Sequence, residues 1–531
     1  MNDRNWTDLR RALAEKRIGR RRFLEGAALL GVSTALVTST LTKAGFAATP
    51  KKGGTLRLGI GGGSTTDSLD PRTYTDTAGI VFGASVLNHL IEIDVDKKPA
   101  PVLFESWEAK DKATRWAFNI RKGVTFHNGK TLDADDIIYS INLHRGKDSQ
   151  SGAAENLAAI KEIKKANANQ IEILLDSGDA DLDYVLSDYH ILAVPNEFKD
   201  WAKPVGTGAY KFESWDPGVS AKGVRNESYW RSDRGFVDAI EFTIINDTPA
   251  RMNALVAGQV DAINRVDTST IDLINAVPDL EVVQSHGGYH VIFAMRTDEK
   301  PFDNPDLRKA MKHSVNREQL LKSLFNGYGT VGNDTPIPEG DPYYNSELEQ
   351  TKYDPDKAKF FAKKAGLSGK VSVPLSTSDA AFQGAVDTAT VFQANAAAAG
   401  VPFETKKESN DGFWDNVWLK TPFCESYWVG RPAATQMLTV AYKSTAAWNE
   451  TGWKNQTFDK WLAEAKAEVD PAKRKPILWD LQKMLHEDGG AIIPMFKDYV
   501  EAHNKKVKGH TPHSNDVFDN NLIAEKAWIV E

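Results

Sequence analysis

Strand-length apolar runs and punctuated helices take turns along almost the whole chain, with no long low-complexity linker between them. "GGTLRLGI" (Gly53 to Ile60) alternates at the strand period, and "WAFNI", "IEILL", "AIEFTII" and "YHVIFAM" are apolar or β-branched runs of strand length. The helices between them carry readable ends. Asn304 and Pro305 open one, Asn316 re-caps it with Gln319 as capping-box partner, and Gly327 stops it. Asp354, Pro355 and Gly366 repeat the grammar, as do Asp470, Pro471 and Gly489. In that last helix Ile477, Leu478, Leu481, Met484 and Leu485 share one apolar face, and Pro476 is expected to kink the first turns. The alternation predicts an α/β protein whose units pack together.

The first residues are of another kind. Arg10, Arg11, Lys16 and Arg17 precede "GRRRFLEGAALLGV", an apolar stretch diluted by Ser33, Thr34, Thr38, Ser39 and Thr40 and too short for a membrane span. Gly45 and Ala47 supply the small residues of a signal-peptidase site, which predicts cleavage after Ala47. Arg20, Arg21, Phe23 and Leu24 resemble the twin-arginine export signal, with Gly19 and Glu25 departing from its usual flanks. The expected destination is the periplasm. Removing residues 1–47 takes nine Lys/Arg and four Asp/Glu from a formal charge of −7 and leaves −12. That surface repels phosphate backbones, so nucleic acid is not an expected partner.

Catalytic and metal constellations are missing. "GIGGGSTT" (Gly59 to Thr66) lacks the Walker lysine and the dinucleotide spacing, and neither an HExxH pair, a Cys/His cluster nor a G-x-S-x-G elbow occurs. Cys424 is the single cysteine, so no disulfide framework exists, and it reads as a small buried residue. No cofactor, metal site or catalytic residue is expected.

Aromatic density stands out instead. Phe413, Trp414, Trp418, Phe423, Tyr427 and Trp428 lie within one short segment, and Trp448 and Trp453 follow. Trp414 and Trp418, four apart, are expected on one helix and in the core. Tyr427, Trp428 and Arg431 fall where the strand-like "ESYWV" breaks at Gly430 and Pro432, a loop position of the kind that gathers ligand residues. Glu425, Trp448, Asn449 and Tyr74 complete the candidate set.

The order of motifs is similar to that of extracellular solute-binding protein family 5, the peptide, dipeptide and nickel receptors of ABC importers. "PAPVLFESWEAKDKATRWAFNIRKGVTFHNGKTLDADDIIYSI" (Pro99 to Ile141), "PVGTGAYKFESW" (Pro204 to Trp215), "RNESYW" (Arg225 to Trp230), "ALVAGQVDAI" (Ala254 to Ile263) and "PFDNPDLRKAMKHSVNREQLL" (Pro301 to Leu321) follow in the family's order, and the tail from Trp448 to "GGAIIPMF" matches too. The resemblance implies a two-lobed periplasmic binding protein of type II with three subdomains and hinge closure. Lobe one is then 48–292 in two subdomains plus the return 498–531, lobe two is 293–497, and the hinge strands are Tyr289 to Arg296 and Ile492 to Tyr499. Partners implied are a small-molecule or short-peptide ligand and an inner-membrane ABC permease, with the receptor itself a monomer and not an enzyme.

Peptide-binding relatives hold the ligand's ammonium with an aspartate shortly after the strand tryptophan. Here "YWVGRPAATQ" has no acid before Asn449 and Glu450, and strand alternation puts Glu425 on the face opposite Trp428. Arg431 can instead make a two-point contact with a carboxylate or phosphate, or serve as a structural ion pair or solvated loop residue. The ligand expected is a short peptide or amino-acid conjugate bearing a carboxylate. An anionic or polyhydroxylated solute stacked on Tyr427 and Trp428 is the alternative, and a Tat-exported enzyme or a periplasmic folding helper are alternatives of another class.

Overall fold

The computed structural model describes residues 50–530 apart from 147, 148, 150 and 411. The export signal and the cleavage after Ala47 expected from the sequence lie outside the described residues. Among the described residues no helix is long and apolar enough to cross a membrane.

Alternation at period two builds the first large sheet. Its seven strands lie in the order Leu280–Ser285, Tyr499–Asn504, Ala262–Ile263, Thr55–Ile60, Ala239–Ile244, Ser220–Arg225, Tyr210–Asp216. Thr55–Ile60 is parallel to both of its neighbours, and Leu56, Leu58 and Ile60 are fully buried on the core side. A four-stranded antiparallel sheet, Phe104–Lys110, Arg115–Ile120, Gln170–Leu175, Ile160–Asn167, has its own core with Phe118, Ile120, Ile171 and Ile173. The helix Ala134–Asn142 joins that core through Ile137 and Ile141, and its N-terminus is closed by a reciprocal capping box between Asp133 and Asp136.

The second large sheet has six strands, Gly329–Val331, Ala491–Lys497, His290–Met295, Phe423–Trp428, Leu375–Thr377, Thr405–Lys407. Its central strands are buried on both faces, which is why they read as unbroken apolar runs. Helices with the expected ends cover it: Pro305–His313 under Asn304, Pro355–Lys364 under Asp354, Pro471–Asp488 under Asp470.

Two local expectations change. The helix Arg317–Phe325 is capped by Asn316, but Gln319 does not return the bond; the Asn316 amide and the Gln319 carboxamide both go to Asn395 on another helix. Trp414 and Trp418 do not share a helix, because Phe413–Asn416 is a single turn that ends before Trp418. Trp414 is 38% exposed, so the core placement expected for it does not hold.

Two segments pass between the large sheets. Leu280–Ser285 pairs antiparallel with Tyr499–Asn504 in the first sheet, and their chain continuations, His290–Met295 and Ala491–Lys497, pair antiparallel in the second. The chain therefore changes sheet at 286–289 and at Asp498, and at that crossing His286 Nδ1 lies 2.7 Å from the Asp498 carboxylate.

Candidate functional site

Strand Phe423–Trp428 runs through the middle of the second sheet and stops where two backbones touch. A Cβ on Gly430 would lie 2.7 Å from the Gly288 Cα, and one on Gly288 would lie 2.6 Å from the Gly430 Cα. Only glycine fits either position, and the tight passage delivers Arg431 to the mouth of a cleft enclosing about 510 Å³, part of it open solvent. Val429, Arg431 and Gln436 line it from the second-sheet body; His89, Asp188 and Asp516 face them from the other.

Arg431 has little to hold it. Nη1 donates to the Val429 carbonyl at 3.2 Å and to that of Gly430 at 3.4 Å, Nε is buried without a partner, and no carboxylate among the described residues lies within ion-pair distance. Opposite stand two carboxyls with different environments. Burial works to raise Asp188, but the His190 imidazole at 2.6 Å and then the charge of Arg431 outweigh it and hold Asp188 well below the usual carboxylate range. Asp516 is raised by burial, against the hydrogen bonds from Asn521 and the Val517 amide. The cleft therefore offers a cation from one body and carboxyl groups from the other.

Tyr427 is half-buried and packs beside the cleft without lining it. Its ring stacks on Tyr289 at 5.2 Å and meets the edge of Trp414 at 5.7 Å. Burial raises its hydroxyl, and Arg265 of the first body, paired with Asp76 at 2.7 Å, opposes that shift.

The other candidates sit farther in. Trp428 is 5% exposed, its indole donates to Glu450 at 2.6 Å, and its ring lies 5.9 Å from Trp448. Trp418 donates to the other oxygen of Glu450 at 2.7 Å and lies 6.0 Å from Trp448. Two indoles thus bond one carboxyl, and the Trp448 ring packs against both of them. Asn449 is buried and donates to the Trp453 carbonyl at 2.7 Å, holding the turn that presents Glu450. Glu425 is fully buried, accepts a short hydrogen bond from Thr377, and is raised well above the carboxylate range by burial; it does not line the cleft. Tyr74 is in the first-body core, where its carbonyl accepts from His190 Nε2 at 2.9 Å, one bond behind Asp188.

Of the residues singled out from the sequence, Arg431 lines this cleft and Tyr427 does not; Gln436, five residues beyond Arg431, and Asp188 and Asp516, from distant parts of the chain, also line it and were not singled out. No group of three or more His, Cys, Asp or Glu side chains is placed to hold a metal ion among the described residues.

Comparison with known proteins gives this geometry a setting. The model of the bacterial extracellular solute-binding proteins, family 5 Middle, matches residues 98–450. The glutathione-binding protein GsiB of Pectobacterium atrosepticum is 24% identical over 468 residues, 84% of this chain and 90% of that one. Among solved structures, the periplasmic binding protein DppA of Helicobacter pylori in complex with peptide STSA superposes with TM-score 0.79 at 21% identity, over 91% of this chain and 99% of that one. AgaA of A. tumefaciens R10 in complex with agropinic acid gives TM-score 0.80 at 23% identity, over 90% and 99%. These likenesses show the two-lobed α/β fold.

Proposed function

The chain belongs to the bacterial extracellular solute-binding proteins of family 5 and is the solute-binding component of an ABC importer, not an enzyme, and from that premise we propose that its ligand is a short peptide or amino-acid conjugate bearing a carboxylate. The observation that carries this reading is Arg431: a cation with no carboxylate within ion-pair distance among the described residues, at the mouth of a cleft whose far wall supplies Asp188 and Asp516. Arg431 is half-buried and meets carboxyls only at a distance across the cleft, so a ligand carboxylate can engage it in a two-point contact. The carboxyls opposite suit an ammonium. Glutathione, named for the GsiB relatives, carries two carboxylates and one ammonium and fits this polarity.

Capture then follows from population shift. The lobes, 48–292 with 498–531 and 293–497, open and close about the crossing segments, and a solute touching both favours the closed form by its differential contacts. Support for this hinge comes from the two places where the chain changes sheet. The closed form is the one a membrane permease recognises. Export follows the twin-arginine route through Arg20 and Arg21; replacing both by Lys is expected to leave unprocessed precursor in the cytoplasm, and normal processing would assign the general secretory route.

A second reading, an anionic or polyhydroxylated non-peptide solute, draws on the Tyr289–Tyr427 stack facing Arg265. One experiment decides between the two. The mature protein is purified from its own periplasm, denatured, and the released molecule identified by mass spectrometry. A single stoichiometric peptide or amino-acid conjugate with a carboxylate supports the first reading, and a non-peptide solute supports the second. An array of long peptides would replace both with a folding helper.

A further inference from the structure

Beside the Arg431 cleft a second one encloses about 440 Å³, lined in part by Asp181, Tyr343, Thr435 and Arg474. Asp181 precedes the short helix Leu182–Val185 in the body built on the four-stranded sheet, whereas Thr435 and Arg474 lie on the helices Ala434–Tyr442 and Pro471–Asp488 of the second-sheet body. The Asp181 carboxylate takes the Arg474 guanidinium in a fork: Nη1 donates to Oδ1 at 2.7 Å, Nη2 donates to Oδ2, and the Thr435 hydroxyl donates to Oδ2 as well. The two charged side chains are 5% and 6% exposed. Two residues earlier, Asp179 pairs with Lys466 at 2.9 Å, and between them the Ala180 amide donates to the Lys466 carbonyl at 2.6 Å. The Arg474 guanidinium also lies over the Tyr343 ring at 5.4 Å.

Three consecutive residues of one body therefore grip the helices of the other through protein atoms alone. The contacts made by Asp179, Ala180 and Asp181 exist only while the bodies are together, whereas Tyr343 belongs to the same body as Arg474 and holds its guanidinium in place. We propose that Asp181 and Arg474, with Asp179 and Lys466, form a latch that raises the fraction of closed lobes before solute binds; this rests on the reading that the lobes move about the crossing segments. A desolvated ion pair is close to break-even against its hydrated, separated state, and the fork geometry and the Thr435 hydroxyl tip it toward closure. Such a near-balanced contact is suited to setting a population. Because apparent affinity scales with the fraction in the binding-competent form, the latch residues are positioning residues that tune capture from outside the solute site.

The test needs no solute. Small-angle X-ray scattering is recorded on the mature chain after denaturation, dialysis and refolding, with a compact two-lobed chain of this length expected near a radius of gyration of about 23 Å. Wild type without solute is expected to scatter as the more compact population, and Arg474→Met and Lys466→Met to raise both the radius of gyration and the maximum dimension. Arg474→Lys, which keeps the charge and loses the fork, is expected to fall between. Lys466 is partly exposed, so its variant keeps the test decisive where Arg474→Met does not fold; circular dichroism identifies such a case. Both Met variants folding and scattering as wild type overturns the latch. That outcome does not bear on which solute is released from the native protein.

Discussion

The indole of Trp428 and the carboxyl of Glu450 form a buried hydrogen bond of 2.6 Å, and Trp418 closes on the other oxygen at 2.7 Å. Removing the carboxyl leaves two buried donors unsatisfied, each costing roughly 1–3 kcal/mol. Glu450→Ala is expected to lower stability by about 3 kcal/mol and Glu450→Gln, whose one carbonyl oxygen still accepts from one of the two indoles, by about 1–2 kcal/mol, in urea denaturation at neutral pH. Burial raises the Glu450 carboxyl against those indole bonds. A raised folded pKa means the folded state binds the proton more tightly, so this contribution is present in acid and is lost as pH rises from the unfolded value through the folded one. Glu450→Gln is expected to lack that decline.

Arg431 and Trp428 are expected to separate binding from stability. Arg431→Ala removes only two long contacts to neighbouring carbonyls, so it is expected to weaken binding of the released solute more than tenfold, about 1.4 kcal/mol, with little change in unliganded Tm. Trp428→Ala vacates a buried site and is expected to cost about 3–5 kcal/mol of stability. Calorimetric titration beside thermal unfolding reads both. An unchanged affinity for Arg431→Ala would remove it from the site.

What the sequence discloses here is local. Thr55–Ile60 and Gln170–Leu175 are legible because alternation is a property of neighbouring residues, and Asn304, Asp354 and Asp470 are legible as caps because their bonds reach two or three residues ahead. Arg431 is legible as a candidate because the strand breaks beside it. Asp188 and Asp516 are not, since they meet Arg431 only when three distant segments converge. Trp428 shows the converse failure: its place in the motif is plain, but whether its face is free depends on Glu450, Trp418 and Trp448, which fold back over it. The one-turn helix at Phe413–Asn416 was missed because four-residue spacing between two tryptophans says nothing about where the helix ends.

His290, fully buried at the start of its strand, is expected to make stability fall in acid. Burial pushes its imidazole down to about 4; the Gly288 carbonyl bonded to Nδ1 opposes that, and Arg431 adds to it. A folded pKa below the unfolded value gives stability that is present above about 6.5 and lost as pH falls through about 4. Between pH 7 and pH 5 the loss from this residue is about 2 kcal/mol, and His290→Gln is expected to reduce the measured pH 7 to pH 5 difference in unfolding free energy by that amount. An unaltered difference would mean the imidazole is not held neutral.

Gly430 offers a test that moves Arg431 without altering its chemistry. Its Cβ position lies 2.7 Å from the Gly288 Cα and 3.0 Å from the Gly288 nitrogen, backbone atoms that cannot swing aside as a side chain can. Gly430→Ala therefore displaces one crossing segment against the other, and the residue that follows immediately is Arg431. A displacement of about 1 Å at a positioned contact costs on the order of a hundredfold in a geometry-dependent step, and a two-point carboxylate contact is that kind of interaction. Gly430→Ala and Gly288→Ala are expected to weaken solute binding at least tenfold each, and the double variant to be no closer to wild type, because both methyls occupy the same gap. The measurement is calorimetric titration with the released solute. Wild-type affinity in a folded Gly430→Ala protein would show that Arg431 adapts to its position, and would weaken its assignment as a fixed carboxylate anchor.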